Sequence, residues 1–155
     1  MESNNSQPQH SSITVEHAFK CSTPVQLRYN DIDTLGHVNN SIYFNLFDLA
    51  KTDYFDRVMG KKQDYRNVTV MIAHIECDYM AQTRLYEPVA VETQTTRLGD
   101  KSFTLVHQLV NTETHEIKCR CSQVMVHFDR TTGRTASLPQ SWRDALERFE
   151  GHSLG

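Results

Sequence analysis

No stretch of this sequence approaches the roughly 20 consecutive apolar residues that a membrane-spanning helix requires. The sequence also lacks a large excess of charge of one sign, because positive and negative residues nearly balance and the formal net charge of the 155 residues is −3. A broad basic surface for nucleic acid is therefore not expected, although a local basic cluster could still hold a small anionic ligand. Hydrophobic residues make up 38% of the chain, which suits one packed core. We predict one folded domain with no membrane span and no nucleic-acid partner.

Cysteine is sparse, and the four cysteines include no C-x-x-C pair. Cys119 and Cys121 are spaced to share one face of a strand. We expect free thiols rather than a zinc site or a disulfide framework, which suits a reducing cytoplasm. Residues 1–14 are rich in Ser, Asn and Gln and lack the apolar segment of a secretory signal. We interpret them as a disordered tail before a single cytoplasmic domain at residues 15–155.

Several catalytic and cofactor motifs are missing. The chain has no G-x-S-x-G elbow, so an α/β-hydrolase is not expected. It has neither G-x-G-x-x-G nor G-x-x-x-x-G-K-[ST], the motifs of nucleotide cofactor sites. The histidines at 74, 107 and 127 lie apart along predicted strands and lack metal-ligand spacing. We therefore expect no metal and no cofactor.

The apolar pattern predicts one long helix. A face of apolar residues repeats every three to four positions from about Asn40 to Met59, and Gly60 is a suitable stop. Pro139 introduces a second, short helix near the C-terminal end of the sequence.

Outside the helices the period of the apolar pattern is two, which is typical of strands. Strands are expected at about 15–29, 68–81, 89–98, 102–110 and 117–128. Residues 68–81 carry apolar side chains on both faces, as in a central strand that is covered on two sides. Consecutive hairpins indicate an antiparallel sheet with the long helix against one face, which is an α+β fold.

The most informative segment joins the first strand to the long helix. Asp31, Asp33 and Gly36 follow one another closely there, and all three residues favour turns. The helix then begins at Asn39 or Asn40. Its first N–H groups have no backbone partner and favour a negative charge or a polarised carbonyl oxygen. This arrangement can bring a carboxylate close to an oxyanion site.

Residues 29–50 resemble the signature of the hotdog-fold acyl-CoA thioesterases of the 4-hydroxybenzoyl-CoA thioesterase-like family. The signature is aromatic-x-Asp-x-Asp-x-x-Gly-x-Val, then Asn or His, then an aromatic residue and an amphipathic helix. Weaker matches at 87–89, 97–99 and 128–129 extend the resemblance to about residues 22–150. The resemblance implies a five-stranded antiparallel sheet wrapped around one long helix. It also implies a homodimer or homotetramer with its active site between subunits.

The resemblance assigns the catalytic carboxylate to Asp33, the second Asp of the motif. A carboxylate can attack the thioester carbonyl to form a mixed anhydride, or it can act as a general base on water. The sequence leaves both routes open. Asp31, Gly36 and His37 are expected to shape the loop, Asp31 through backbone N–H groups and Gly36 by allowing the turn.

The start of the helix carries the remaining candidates. Asn39 or Asn40 is the N-cap, or its side-chain amide orients water or the acyl oxygen. Some relatives carry a histidine where Asn40 stands, so a histidine-assisted mechanism is not expected at that position. Backbone N–H groups near Asn40 and Ser41 are expected to form an oxyanion hole. Tyr43 either lines the acyl pocket or packs in the core, because helical spacing fits both roles.

We predict an enzyme that hydrolyses an acyl-CoA thioester to a free carboxylic acid and CoA. Two alternatives are a thioesterase acting on acyl carrier protein and a non-catalytic acyl-CoA-binding protein of the same fold. A carrier protein would require a larger basic surface than the net charge suggests. A binding protein would have no need of a carboxylate beside the thioester, so Asp33 favours the hydrolase.

Overall fold

The computed structural model describes residues 11–155. The strands and helices in chain order are β1 (Cys21–Val25), α1 (Asn40–Met59), β2 (Val70–Tyr79), β3 (Val89–Leu98), β4 (Ser102–Asn111), β5 (Ile117–His127) and α2 (Gln140–Glu150). Short 3-10 turns at Tyr29–Asp31 and Tyr65–Asn67 lie in the connecting loops. Within residues 11–155, neither helix combines the length and the apolar character needed to cross a membrane.

The five strands form one sheet in the order β1-β3-β4-β5-β2. Every neighbouring pair is antiparallel, and β3, β4 and β5 follow one another as hairpins. The strands β1 and β2 are therefore the two edges of the sheet. The predicted α+β fold, with an antiparallel five-stranded sheet, one long helix and a short C-terminal helix, is confirmed.

The long helix begins and ends where the sequence pattern predicts. At its start, the side-chain oxygen of Asn39 accepts the N–H of Ser41 at 3.0 Å. At its end, Gly60 adopts φ 66°, a left-handed conformation that glycine reaches at little cost. The apolar face between these caps lies against β1 and β3 of the sheet. Its buried residues are Tyr43, Leu46, Phe47, Ala50, Tyr54, Phe55 and Val58.

The core consists of two apolar clusters, one under each half of α1. The second half packs with α2 and the hairpin ends in a group that we call the α2 cluster. Its large members are Tyr54, Phe55, Val58, Leu98, Phe103, Leu105, Leu138 and Leu146. The first half packs near the loop that precedes α1, in a group that we call the loop cluster. Its members are Val38, Tyr43, Leu46, Phe47, Ala50, Val89, Val91, Leu109, Cys119 and Cys121.

The first strand is much shorter than the predicted 15–29. Val25 lies opposite Val89, the first residue of β3, so no partner continues the ladder beyond it. The chain then leaves the sheet and enters the 3-10 turn that precedes the loop. Before Cys21, the edge of β3 is occupied instead by the C-terminal segment, since the Leu98 N–H donates to the Leu154 carbonyl at 2.9 Å.

The prediction that residues 68–81 form a central strand covered on both faces is wrong. This segment contains β2, which is last in the strand order and lies at the edge. Met71 and Ile72 are 51% and 41% exposed. Their apolar character reflects an uncovered surface, a property that periodicity cannot distinguish from burial.

The predicted tail at residues 1–14 lies outside the described residues up to position 10. Its last part packs on the sheet, because the Ser11 and Ser12 side chains donate to Asp78 and Ile13 is buried. The Ile13 carbonyl also accepts a hydrogen bond from Arg120 at 3.0 Å. These contacts place residues 11–14 with the folded domain rather than with a disordered tail.

Candidate active site

The loop between β1 and α1 is closed on itself by backbone hydrogen bonds. Ile32 and Val38 form an antiparallel bridge. Inside it, the Asp33 N–H donates to the His37 carbonyl at 2.9 Å, and the Gly36 N–H donates to the Asp33 carbonyl at 3.0 Å. Gly36 adopts φ 79°, which explains why glycine suits this turn. The loop is thus a tight turn with Asp33 at its base.

One oxygen of the Asp33 carboxylate is held and the other is free. The Leu35 N–H donates to Asp33 Oδ1 at 2.9 Å, as in an Asx-turn. Among residues 11–155, Asp33 Oδ2 has no hydrogen-bond partner. The side chain is half-buried and borders a cavity. The carboxylate is therefore oriented by the backbone and keeps one oxygen available for chemistry.

Asp31 has a different environment. Its carboxylate is buried and accepts the Arg28 backbone N–H at 2.8 Å and the Arg28 guanidinium at 2.9 Å. These hydrogen bonds hold the pKa of Asp31 below its usual range. The Asp31 carbonyl also accepts the Asn39 N–H at 2.9 Å. Asp31 thus connects the turn to the start of the helix and does not border the cavity.

The hydrogen bonds at the start of α1 distinguish the three candidates there. Asn39 Oδ1 accepts both the N–H and the hydroxyl of Ser41, at 3.0 and 2.8 Å, so Asn39 is the N-cap. The Ser41 N–H is consequently engaged and is not available to an oxyanion. The Asn40 N–H has no partner in the part of the chain that the structure describes. It is the remaining donor where the helix dipole favours negative charge.

Two tyrosines form the wall beside the helix start, and a buried threonine behind them holds one of the two hydroxyls. The buried Tyr43 hydroxyl is hydrogen-bonded to Thr83 Oγ1 at 2.8 Å, and burial raises the pKa of Tyr43. The ring of Tyr79 meets Tyr43 edge-on, with centroids 5.2 Å apart. Burial and the neighbouring cysteine thiols raise the pKa of Tyr79 to about 12. Both hydroxyls are therefore neutral donors or acceptors at physiological pH.

These groups surround a cavity of about 600 Å³. The loop is joined to the opposite wall of the cavity by the Val38 N–H, which donates to the Thr83 carbonyl at 2.8 Å. The lining residues are Asp33, Leu35, His37, Val38, Asn39, Asn40, Tyr43, Tyr79, Met80, Ala81 and Gln82. Of the sequence candidates, the structure brings together Asp33, His37, Asn39, Asn40 and Tyr43, and it places Asp31, Gly36 and Ser41 outside the lining.

Sequence reasoning missed the wall formed by Tyr79 to Gln82. These residues begin with the last residue of β2 and lie about 40 positions from the loop in the sequence. The one local signal was the end of the apolar strand pattern at this point, which marks a loop without indicating what it faces.

The middle of α1 belongs to the core and not to the cavity. Phe47 is fully buried, and its ring stacks on His107 with centroids 5.4 Å apart. Burial lowers the pKa of His107 to about 3, so this imidazole is neutral. A second cavity, of about 400 Å³, lies along the other half of α1, and Phe55, Val70 and Trp142 contribute to its walls. It contains none of the candidate catalytic residues.

Metal coordination is not apparent within residues 11–155. No group of three or more His, Cys, Asp or Glu side chains there is arranged to hold a metal ion. The chemistry that this arrangement offers is that of one oriented carboxylate, a helix N-terminus and neutral hydroxyl groups.

Residues 27–146 match the family model described as the thioesterase-like superfamily. The chain belongs to this superfamily. It is a thioester hydrolase, and the predicted resemblance to the hotdog-fold thioesterases is confirmed.

Individual relatives match over most of this chain's length. A thioesterase from Thermus thermophilus, crystallised in complex with coenzyme A and Zn, is 29% identical. The match covers 88% of this chain and 98% of that one, with a TM-score of 0.79. The Bacillus subtilis (strain 168) protein YsmA is 27% identical over 83% of this chain and 86% of its own length.

A more distant structure supports the fold alone. The 1,4-dihydroxy-2-naphthoyl-CoA thioesterase Slr0204 from Synechocystis is 17% identical, with a TM-score of 0.71. The match covers 81% of this chain and 94% of that one. The hotdog architecture therefore persists where little sequence identity remains.

Proposed function

We propose that this thioester hydrolase acts on an acyl-CoA, releasing a free carboxylic acid and CoA, and that Asp33 is its catalytic carboxylate. The observation that carries the proposal is the state of Asp33 at the cavity: Leu35 holds one carboxylate oxygen and the other has no partner among residues 11–155. The coenzyme A in the Thermus thermophilus structure supports the choice of CoA as the carrier of the acyl group.

The free oxygen of Asp33 permits two routes. In the first, it attacks the thioester carbonyl, the C–S bond breaks, CoA leaves as a thiolate and water hydrolyses the resulting mixed anhydride. In the second, the carboxylate takes a proton from a water molecule that attacks the same carbon. In either route the carbonyl oxygen becomes negatively charged, and the Asn40 N–H at the N-terminus of α1 is the donor we assign to it. One well-placed donor of this kind is worth about 2.7–4 kcal/mol.

The matched pair of carboxylates in the loop provides the first test. Asp33→Asn is expected to lower kcat by at least ~10²-fold, because an amide is neither a nucleophile nor a base of useful strength. The protein should remain folded, since the amide oxygen can still accept the Leu35 N–H. The control is Asp31→Asn, which should alter stability and leave kcat largely intact. Steady-state thiol release from a series of acyl-CoAs measures both variants, and full kcat in Asp33→Asn would contradict the assignment.

A single-turnover experiment separates the two routes. Excess enzyme is mixed with an acyl-CoA labelled in its acyl group, and the reaction is quenched within the first turnover. Label on the peptide that contains Asp33 would indicate the mixed anhydride. Complete hydrolysis without labelled peptide at any time would indicate the general base.

We also propose that the chain assembles into a homodimer or homotetramer through the β2 edge. Met71 and Ile72 expose apolar surface there, and the outer side of β2 has no strand partner among residues 11–155. Within residues 11–155, the cavity lining includes no Lys or Arg. Cations for the CoA phosphates would therefore come from outside this lining, and a second subunit is the source we propose.

Multi-angle light scattering at micromolar concentration tests the assembly. We expect a mass of at least twice the 17.9 kDa of one chain. Met71→Lys should weaken the assembly, because it introduces a charge on the proposed interface. A wild-type mass equal to that of one chain would disprove the proposal.

A cytoplasmic location is proposed as well. Its support is the arrangement of the four cysteines, which form no disulfide among residues 11–155 and no C-x-x-C pair in the sequence, as is usual for proteins of a reducing compartment. Cell fractionation with an antibody to the protein tests it, and recovery in a membrane or exported fraction would contradict it.

A further inference from the structure

Three cysteines meet on one face of the sheet, beneath the first half of α1. Cys77 lies in β2, and Cys119 and Cys121 lie two residues apart in β5. Cys119 and Cys121 are fully buried, whereas Cys77 is only half-buried. Within one chain, Cys77 is thus the most exposed member of the group and the other two thiols are protected. Pairing of β2 with a second strand would use its backbone edge and leave the Cys77 side chain on the face of the sheet.

The strand register determines which two of these cysteines can be joined. Cys77 lies directly opposite Cys121, while Cys119 lies opposite Tyr79. Directly opposed residues in an antiparallel pair have Cα atoms about 4.5–5.5 Å apart, within the 4.4–6.8 Å range that disulfides span. Cys77 and Cys119 are diagonal neighbours, for which the separation of about 7–8 Å is too large without movement of the backbone.

The three thiols also differ in acidity. The neighbouring Cys119 and Cys121 thiols lower the pKa of Cys77, because a thiol beside a thiolate can donate to it. The same contacts, together with burial, raise the pKa of Cys119 and Cys121. Because the thiolate is the reactive form of cysteine, the accessible member of the group is also the most nucleophilic one at neutral pH.

We propose that Cys77 and Cys121 form an oxidisable dithiol pair that responds to hydroperoxides, with Cys77 as the attacked thiol and Cys121 as the resolving thiol. No part of thioester hydrolysis requires these groups. The pair is a modification site that lies beside the cavity, because Tyr79 follows Cys77 by two residues on the same strand.

The reaction takes place in two balanced steps. The Cys77 thiolate attacks one oxygen of hydrogen peroxide, the O–O bond breaks, and hydroxide leaves and is protonated to water, so that Cys77 becomes a sulfenic acid. The Cys121 thiol then loses its proton and attacks the Cys77 sulfur; the S–O bond breaks and a second water forms. Two thiols are oxidised to one disulfide while one peroxide is reduced to two waters. The product joins the edge strand β2 covalently to β5.

The test begins with the wild-type protein, so it does not depend on the folding of any variant. The reduced protein is treated with hydrogen peroxide, the remaining thiols are alkylated, and the digest is mapped by mass spectrometry. We expect the free thiols to fall from the four of the reduced chain to two, with one peptide pair joining Cys77 to Cys121. Dithiothreitol should restore all four. A sulfinic acid at Cys77 without a disulfide, a Cys77–Cys119 link, or four unreacted thiols would each overturn the proposal.

Three serine variants sharpen this result. Cys119→Ser is the matched control, because it removes a buried thiol of the same group and should still form the disulfide. Cys77→Ser should lose the disulfide and react at least tenfold more slowly with peroxide. Cys121→Ser should stop at the sulfenic acid, which dimedone traps on Cys77. Loss of the disulfide in Cys119→Ser, with its circular dichroism spectrum unchanged, would show that the resolving thiol is assigned wrongly.

Discussion

The two halves of α1 pack against neighbours of different kinds. In the α2 cluster, Phe55 contacts the rings of Phe103 and Trp142, and the Tyr54 hydroxyl donates to the buried Glu150 of α2 at 2.6 Å. Among residues 11–155, the loop cluster includes no residue of a second helix, and it borders the 600 Å³ cavity instead. In this fold the end of α1 that α2 covers is packed with aromatic rings and holds none of the candidate catalytic residues, whereas the opposite end borders the cavity beside Asp33.

The largest expected effect comes from the covered end. Phe103→Ala should lower the free energy of unfolding by about 4–5 kcal/mol, the upper part of the range for deleting a buried phenyl ring. The ring is 1% exposed and contacts two other aromatic rings, which adds to the loss. Urea denaturation measures the change. Because this cluster does not border the cavity, kcat of the folded fraction should be unchanged, and a large loss of kcat at full folding would break the comparison.

A somewhat smaller effect is expected at the open end. Phe47→Ala should cost about 3–4 kcal/mol, because the ring is buried against His107. Since Phe47 is not part of the cavity lining, the ratio of kcat/KM between short and long acyl-CoAs should stay constant. A methylene in an apolar pocket is worth about 1–3 kcal/mol, so a true pocket residue would shift this ratio clearly. Such a shift would mean that the acyl group reaches under α1.

The smallest effect concerns the loop itself and depends on pH. The ion pair with Arg28 makes the pKa of Asp31 lower in the folded protein than its usual 3.8. This pair therefore stabilises the fold at a pH above the unfolded pKa, and the stabilisation is lost as the pH falls through the folded pKa. Asp31→Asn should therefore cost about 1–2 kcal/mol near pH 7, toward the lower end of the roughly 1.5–3 kcal/mol of hydrogen bonds to charged groups, because the Arg28 side chain is exposed to solvent. The difference from wild type should shrink below about pH 4. Thermal denaturation between pH 3 and pH 7 measures it; a difference that stays constant with pH would contradict the ion pair.

The parts of the fold that the sequence predicted well depend on local signals. The bounds of α1 follow from an asparagine cap and a glycine stop, and β3, β4 and β5 are separated by short turns. The position of β2 at an edge depends on the strand order of the whole sheet, so its own residues do not indicate it. The local sequence pattern therefore predicted the helices and strands, but it did not predict which strands would be buried by neighbouring elements.

The candidate site likewise has one part that the sequence predicted and one part that it did not. The loop and the helix start are continuous in the sequence, and the family motif located Asp33 within them. Asn39 and Asn40 have the same side chain, so the sequence cannot tell which is the cap, and the hydrogen bonds to Ser41 identify it as Asn39. The far wall comes from residues after β2, which folding brings to the loop through the contact between Val38 and Thr83. Such a non-local contact has no signature in the spacing of residues.

The turn that carries Asp33 is held by hydrogen bonds at its base, and its tip is exposed to solvent. The contact from position 35 to the carboxylate is made by a backbone N–H, so every residue type except proline can supply it. The Leu35 side chain itself is 76% exposed at the rim of the cavity. Its chemistry can therefore be exchanged without displacing the carboxylate. Under the proposed role of Asp33, position 35 is a place where substitutions would change which acyl groups are accepted and leave the carboxylate in position.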